Sequence, residues 1–326
     1  MKNQASFTKG FELFEQHYFN RLTDAKGVHL GTESGIDQLY HITSNKLKKG
    51  NSPVILHHGR RTSHVIILTH GLSDSPHYMK AIGKRFHQEG LNVILPLLPA
   101  HGLKDPDKAT EDELLDTKWR QEIDNAVIVA QHFGAVISLG GFSTGGALSY
   151  NKILRAPKLI RGGLFLFSAA IDVRIVKEAS FLGFVQGLSK IVDGNIKGMG
   201  PNPFRYPHIP SFTAIELGQI IRENKRLSRD KKISQAVFAA HSVHDTMVQL
   251  DGIIDLLDNY VERGVALLIS QNVPHASLPL NEDIQLDVDS RVELPSPKAN
   301  PQFDMMMDNA LLFFKTQVIT SMLTSE

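Results

Sequence analysis

The chain has 326 residues, of which 42% are hydrophobic, so it can bury a sizeable core. Its 35 lysines and arginines nearly balance 34 acidic residues, giving a net charge of +1. This balance argues against a nucleic-acid partner and against attachment to acidic membranes by bulk charge. The sequence has no cysteine, which excludes disulfides, thiolate metal sites and cysteine nucleophiles.

The N-terminal residues predict a helix but no export signal. Over residues 5–22, apolar side chains recur every three or four positions, at Phe7, Phe11, Phe14, Tyr18 and Leu22. We expect this helix to pack on the main domain; its polar face is too poor in Lys and Arg to favour the alternative of reversible membrane contact. No apolar run matches a signal peptide, or approaches the roughly 18 residues of a membrane span. We therefore expect a cytoplasmic protein without stable membrane insertion. The sequence predicts no particular oligomeric state.

From residue 52 onward, short apolar runs alternate with longer amphipathic stretches. Five runs are apolar on successive residues, which is typical of strands covered by helices on both faces of a parallel sheet. The predicted strands are Val54–His57, His64–Thr69, Leu91–Leu95, Ala135–Gly140, Gly163–Phe167, Gln235–Ala240 and Val265–Ser270. The predicted helices cover about 75–89, 111–133, 144–155, 212–228, 247–262 and 303–323. This alternation predicts an α/β fold, a mostly parallel doubly wound sheet within a single domain over 1–326.

Two stretches interrupt the alternation. Residues 173–211 combine an amphipathic run with a Gly/Pro-rich segment, and we interpret them as a cap insertion. Residues 277–302 carry several carboxylates: Glu282, Asp283, Asp287, Asp289 and Glu293. They lack the oxygen spacing and turn glycine of a calcium loop, so we expect a solvated acidic loop.

The sharpest local signal is the pentapeptide Gly141-Phe142-Ser143-Thr144-Gly145, between a predicted strand and a predicted helix. A serine at such a corner lies on a tight turn that exposes its Oγ, and the flanking glycines avoid collisions with neighbouring elements. The helix N-terminus adds free N–H groups and a positive dipole end. Ser143 is therefore a candidate nucleophile, which needs a base and a third group to orient that base.

The partners of this serine should follow later strands at the same edge of the sheet. Asp245 follows one predicted strand, and His275 follows the next. His275 would accept the serine proton, and Asp245 would hold the imidazole tautomer and stabilise its charged form. Asp172 remains the alternative acid, while His241 and His244 remain alternative bases.

An acyl-transfer site also needs donors for a negatively charged oxygen. The backbone N–H of Thr144, directly after the candidate nucleophile, would be one donor. The second would be the N–H of Leu72, because Gly71 lets the backbone come close. We expect His70 to be bonded to this loop in a structural role. Without an HExxH motif or cysteine pairs, we expect no metal and no other cofactor.

Taken together, these motifs resemble the serine hydrolases of the α/β-hydrolase superfamily, in the branch of small carboxylesterases and monoacylglycerol lipases. The resemblance covers roughly residues 52–323. It rests on His70-Gly71, Leu98-Pro99-Ala100-His101-Gly102, Trp119, the GFSTGG segment, Asp245 followed three residues later by Val248, and His275. It implies a nucleophile elbow at Ser143, oxyanion donors at Leu72 and Thr144, and a lid between the sixth and seventh strands. The N-terminal extension, Ala100 and residues 277–302 depart from the family pattern.

The main functional hypothesis is an enzyme that cleaves the ester bond of a small-molecule acyl ester through a covalent acyl-serine. A peptidase, thioesterase or acyltransferase with the same three residues is the alternative, and a non-catalytic binding protein on this fold is more remote. In the cap, we expect Phe181, Phe184 and Val185 to line a substrate pocket, because they exceed what packing of one helix face requires.

Overall fold

The computed structural model describes residues 2–31, 38–106, 109, 112–172, 202–206, 211–287 and 296–320. Within these ranges the strands are β1 (Lys26–Gly31), β2 (Gln38–Thr43), β3 (Val54–His57), β4 (Thr62–Thr69), β5 (Asn92–Leu95), β6 (Gly134–Phe142), β7 (Leu164–Phe167), β8 (Val237–Ser242) and β9 (Gly264–Ile269). The α-helices are α1 (Lys2–Leu22), α2 (Lys80–Gln88), α3 (Leu115–Phe133), α4 (Thr144–Arg155), α5 (Ser211–Ser228), α6 (Leu250–Asn259) and α7 (Phe303–Phe313).

The strands form one sheet in the order β1-β2-β3-β5-β4-β6-β7-β8-β9. The pairs β1–β2, β2–β3 and β3–β5 are antiparallel, and every pair from β5–β4 to β8–β9 is parallel. Because these strands are parallel, the carboxyl ends of β4, β5, β6, β7, β8 and β9 lie along one rim. The predicted α/β class with a mostly parallel sheet is confirmed.

Helices cover both faces of the sheet, which explains why its strands are apolar on successive residues. Val65 and Ile67 of β4 belong to a core cluster with side chains of α1, α3 and α4. Ile66 and Leu68 of the same strand point to the opposite cluster, together with side chains of α2 and α7. Alternating side chains of one strand are therefore buried under different helical layers.

The antiparallel hairpin β1–β2 is absent from the sequence-based prediction, which places no strand before residue 54. Most of β1 is exposed or only partly buried, and β2 buries just Tyr40 and Ile42. So little buried apolar surface leaves a weak pattern in the sequence. One predicted helix was also too long, since α6 covers only Leu250–Asn259. Helix α7 passes at Phe313 into a π-helical segment, Phe314–Ile319, so the predicted C-terminal helix is helical as far as the structure describes it.

Helix α1 packs along α3 through its aromatic face. Phe7, Phe14, Tyr18 and Leu22 are all buried, and Phe7 lies edge-on to Phe133 at 5.1 Å between ring centroids. The opposite face of the helix is exposed and mostly polar, and Phe19 is a large apolar side chain on it. In the ranges described, no helix combines the length and the apolar character that a bilayer span requires.

The two irregular stretches are only partly described. Of the predicted cap, residues 173–201 and 207–210 lie outside the described residues, as do 288–295 of the acidic loop. The rest of that loop is not simply solvated. Glu282 and Asp283 are exposed, but Leu278, Leu280 and Ile284 are buried and attach the loop to the body of the protein.

Candidate active site

Ser143 lies at the corner between β6 and α4, in a backbone conformation that non-glycine residues rarely adopt. Its φ is 51° and its ψ is −116°. The neighbouring strand holds the corner: the Ser143 N–H donates to the Phe167 carbonyl at 3.1 Å, and the Ser143 carbonyl accepts from the Ala170 N–H at 3.0 Å. Such strain persists only where the surrounding structure fixes it, as these hydrogen bonds do here.

The last glycine of the pentapeptide is required by space. A Cβ on Gly145 would overlap the carbonyl oxygen of Thr69, at the end of β4. Helix α4 can therefore begin against the sheet only if this position has no side chain. This close approach fixes how Ser143 is presented at the rim.

Asp245 and His275 are joined by a hydrogen bond at the same rim. The His275 Nδ1 donates to the Asp245 Oδ2 at 2.6 Å, and the Asp245 side chain is fully buried. The other oxygen, Oδ1, accepts the N–H groups of Met247 and Val248 at 2.9 and 3.0 Å. Burial alone would raise the pKa of Asp245, but the His275 contact and these N–H groups hold it below its ordinary value. An ionised Asp245 keeps the proton on Nδ1 and leaves Nε2 free to accept one.

The alternative acid and bases lie in other surroundings. Asp172, at the end of β7, has the Lys225 ammonium 3.5 Å from its carboxylate. His241 is buried, with its Nε2 at 3.3 Å from the Val248 carbonyl and 3.9 Å from the Asp245 carboxylate. His244 is exposed and bonds to the Ser270 carbonyl at 3.2 Å. Of the predicted histidines, His275 is the one that hydrogen-bonds Asp245.

The serine and the imidazole both lie at the edge of the solvent-accessible surface. Ser143 is 8% exposed and His275 is 9% exposed. Phe142, which precedes the serine, has its ring 4.7 Å from the His275 ring. Among the described residues, no hydrogen bond joins the Ser143 hydroxyl to His275. Such bonds are often long in free enzymes and tighten when substrate binds.

The two predicted oxyanion donors both have unpaired N–H groups in the described part of the chain. One is the N–H of Thr144, at the start of α4, and the other is the N–H of Leu72. Leu72 belongs to the segment 70–75, which we call the Gly71 loop. A Cβ on Gly71 would lie 2.5 Å from the Asp74 carboxylate and 2.9 Å from the Phe142 ring, so this loop packs tightly against the strand that carries the serine.

Two histidines connect the Gly71 loop to residues 97–102, which we call the Pro99 loop. His70 Nε2 accepts the N–H of Leu98 at 3.1 Å, and His101 Nε2 accepts the N–H of Ser73 at 3.1 Å. Each ring also bonds through Nδ1 to a carbonyl of its own loop at 2.8 Å. Burial lowers the pKa of both imidazoles, that of His101 to about 4, so both are neutral acceptors. His70 thus has the loop-bonding contacts expected of it, whereas the partner of His101 was not foreseen.

A buried ion pair closes the other side of the Gly71 loop. Asp74 is 1% exposed, and Arg205 Nε lies 3.1 Å from its carboxylate. Burial raises the pKa of Asp74, while the charges of Arg205 and His275 oppose that rise. Next to the arginine, the Tyr206 N–H donates to the Ser73 carbonyl at 2.9 Å. Sequence reasoning missed this contact because nothing in residues 202–206 indicates a partner more than a hundred positions earlier.

Phe181, Phe184 and Val185 lie outside the described residues. Across the residues that are described, no three His, Asp or Glu side chains converge as a metal site would require.

Comparison with solved structures gives the fold. One of the metagenome-derived lipolytic enzymes LipS and LipT aligns over 83% of this chain and 100% of its own, with a TM-score of 0.64 and 17% identity. A soluble variant of monoglyceride lipase from Saccharomyces cerevisiae aligns over 90% and 95%, with a TM-score of 0.58 and 11% identity. Est1E from Butyrivibrio proteoclasticus, solved with ferulic acid, aligns over 89% and 98%, with a TM-score of 0.54 and 14% identity.

The chain has the α/β-hydrolase fold. Its sequence is also distantly similar to a thermostable monoacylglycerol lipase from Bacillus sp. strain H-257, at 21% identity over 163 residues. That match covers 49% of this chain and 62% of the lipase, so it spans less than two thirds of that enzyme. No family model matches the chain. The α/β-hydrolase fold places the end of β6, where Ser143 lies, at the rim that carries ligands in open α/β sheets.

Proposed function

We propose that the chain is a serine hydrolase that cleaves carboxylic ester bonds of acyl esters. The observation that carries this proposal is the 2.6 Å hydrogen bond between Asp245 and His275, on the rim where Ser143 occupies a strained strand-to-helix corner. The N–H groups of Leu72 and Thr144, which have no acceptor among the described residues, support it, because an acyl-transfer site needs donors for the developing oxyanion. Distant similarity to lipolytic enzymes supports acyl esters as the substrate class.

In the proposed mechanism, Ser143 Oγ attacks the carbonyl carbon of the ester while His275 Nε2 takes its proton. The carbonyl oxygen gains the electron pair of the C=O bond and is bound by the N–H groups of Leu72 and Thr144. Collapse of this intermediate breaks the bond to the alcohol, which leaves with the proton from His275. Water then attacks the acyl-serine with His275 again as base, releasing the acid and restoring Ser143. Asp245 keeps the imidazole oriented throughout.

The test is hydrolysis of p-nitrophenyl esters from acetyl to palmitoyl. Ser143→Ala should lower kcat by a factor on the order of 10⁶, as loss of a triad nucleophile does in a well-studied case. Ser149→Ala is the matched control, since it removes a buried hydroxyl from the same helix, where it donates to the Gly140 carbonyl at 2.9 Å. A serine-directed phosphonate should label Ser143. Absence of turnover with every ester, or labelling of another serine, would contradict the proposal.

The proposal extends to the cap, where Phe181, Phe184 and Val185 would line the acyl pocket. Each substrate methylene that becomes buried contributes about 0.8 kcal/mol, so kcat/KM should rise with acyl length until the pocket is full. A polar replacement of Phe181 or Phe184 should flatten this profile and leave acetyl ester turnover nearly unchanged. A uniform loss across all chain lengths, with a lower melting temperature, would mean that these side chains only pack the cap.

A further inference from the structure

A buried carboxylate on α3 accepts hydrogen bonds from three side chains of the N-terminal helix. Glu122 is 2% exposed and accepts hydrogen bonds from His17 Nε2 at 2.7 Å, from the Tyr18 hydroxyl at 2.6 Å and from Arg21 Nη1 at 2.8 Å. Burial would raise the pKa of Glu122, but Arg21, His17 and these hydrogen bonds hold it below its ordinary value. The carboxylate is therefore ionised, and it orients Tyr18 and Arg21.

Two of these oriented side chains hold the Pro99 loop. The Tyr18 hydroxyl accepts the N–H of Leu97 at 3.0 Å, and Arg21 Nη1 donates to the Leu97 carbonyl at 2.8 Å. Helix α1 thus satisfies both backbone hydrogen-bonding groups of Leu97. Since Leu97 is fully buried, no water is available to replace either bond, and losing one leaves an unpaired buried group.

The residue after Leu97 continues the connection toward the candidate active site. The Leu98 N–H donates to His70, while His101 accepts the N–H of Ser73. His70 and Ser73, which precede and follow the Gly71–Leu72 pair, are therefore both hydrogen-bonded to the Pro99 loop. We expect a shift of Leu97 to reach the loop that carries the N–H of Leu72, because Leu98, His70, His101 and Ser73 are buried and hydrogen-bonded to one another.

We propose that the N-terminal helix positions the oxyanion donor: Tyr18, Arg21 and Glu122 fix Leu97, and through the two histidines they fix Leu72. This inference rests on the proposed function. The three residues do not touch the reacting atoms, so they are positioning residues. Their effect is expected on the transition state, because the donor must lie about 2.7–3.1 Å from the oxyanion, and a misplacement of about 1 Å can cost about 10²-fold in rate.

The alternative is that α1 only contributes apolar packing. In that case its buried aromatic side chains would stabilise the fold, and the hydrogen bond between Tyr18 and Leu97 would not affect the position of the Leu72 N–H. The chain offers a matched control for this distinction. The hydroxyl of Tyr40, which is 3% exposed, donates to Glu15 of the same helix at 3.0 Å, and no hydrogen bond within the described ranges joins this hydroxyl to the Pro99 loop.

The experiment compares Tyr18→Phe with Tyr40→Phe, which each remove one buried hydroxyl and keep the ring. Well below both melting temperatures, Tyr18→Phe should lower kcat for p-nitrophenyl butyrate about tenfold or more, with KM changed less than about twofold. A trifluoromethyl ketone, which forms a tetrahedral oxyanion with serine, should bind more weakly by the same factor. Tyr40→Phe should leave kcat and inhibitor binding at the wild-type level. Equal effects of the two variants on kcat and on inhibitor binding would overturn the proposal.

Hydrogen exchange of the backbone amides provides a measurement that does not depend on activity. Tyr18→Phe should speed exchange at Leu97, Leu98 and Ser73, whose N–H groups take part in the connection, and Tyr40→Phe should not. Unchanged exchange at Ser73 in Tyr18→Phe would show that α1 does not hold the Gly71 loop. If the wild-type protein hydrolyses no ester, the proposed function fails, and the exchange comparison still decides whether the helix holds this loop.

Discussion

The two sides of the candidate active site are held in place in different ways. On the acid–base side, Asp245 is fixed by N–H groups two and three residues further along the chain and by His275, thirty positions away. On the oxyanion side, the Gly71 loop depends on Arg205, 132 positions from Ser73, and on a connection that begins in the first helix. Contacts within about thirty positions therefore arrange Asp245 and His275. The Gly71 loop has contacts of similar span to the Pro99 loop, but it also depends on much more distant parts of the chain.

The largest effect should come from the acid–base side. Asp245→Asn should lower kcat by roughly 10⁴, because an amide at this position favours the wrong imidazole tautomer. Asp172→Asn is the control, since it makes the same change at the alternative acid. The measurement is kcat for p-nitrophenyl butyrate at pH 8. A larger loss in the Asp172 variant would assign the acid to β7 instead of β8.

The oxyanion side should respond less strongly and in a different manner. In Gly71→Ala the new Cβ collides with Asp74 and Phe142, so the N–H of Leu72 should move, and kcat should fall by about 10²–10³. The acid limb of the pH profile should move by less than about one unit, because the Asp245–His275 hydrogen bond is kept and only the neighbours Asp74 and Phe142 are displaced. Gly31→Ala is the control, since nothing lies within 4 Å of its added Cβ. A larger shift of the pH profile in Gly71→Ala would mean that the two sides are not independent.

The histidines that join the two loops make folding stability depend on pH. Burial lowers the pKa of His101 from 6.5 to about 4, so between these values the unfolded chain binds a proton that the folded chain does not. The free energy of unfolding should therefore be highest above pH 6.5 and fall as the pH drops toward 4, by roughly 3 kcal/mol for this residue. Urea unfolding at pH 7 and pH 5 measures this.

The control for this dependence is His101→Gln, which keeps an acceptor for Ser73 but does not titrate. Its unfolding free energy should depend less steeply on pH between 6.5 and 4 than that of the wild type. His244→Gln, at an exposed position, should leave the slope unchanged. Equal slopes in all three proteins would show that His101 does not remain neutral in the folded state.

The smallest effect should come from the Asp74–Arg205 ion pair, which lies between the acid–base side and the oxyanion side. Arg205→Gln removes the positive charge paired with Asp74, so an ionised Asp74 would act unopposed on His275, which also has Asp245 and His241 close by. A negative charge favours the imidazolium, so the acid limb of kcat/KM should move to higher pH by less than about one unit. Asp74→Asn should move it to lower pH. Shifts of the same sign in both variants would exclude this electrostatic explanation.

The contrast between contacts near and far in the sequence also determines how much could be predicted from the sequence. Successive apolar residues in β4 and β6 predicted a sheet buried on both faces, and the glycines around Ser143 predicted its corner, since both signals are local. Asp245 and His275 could be chosen because each follows a strand. The Glu122 contacts could not be predicted, because a glutamate in an amphipathic helix gives no sign of a tyrosine 104 residues earlier. The hairpin β1–β2 was missed because its surface is half exposed.

The contacts of α1 also have a consequence for protein synthesis. Ribosomes make the chain from its N-terminus, so Tyr18 emerges long before Leu97 and Glu122, which lie 79 and 104 residues later. The aromatic face of α1 therefore stays exposed to solvent until α3 has been made. Contacts so distant in sequence slow folding, because the entropy of closing the loop is lost before the contact forms. The Gly71 loop should accordingly reach its final position only after α3, and after Arg205, have been made.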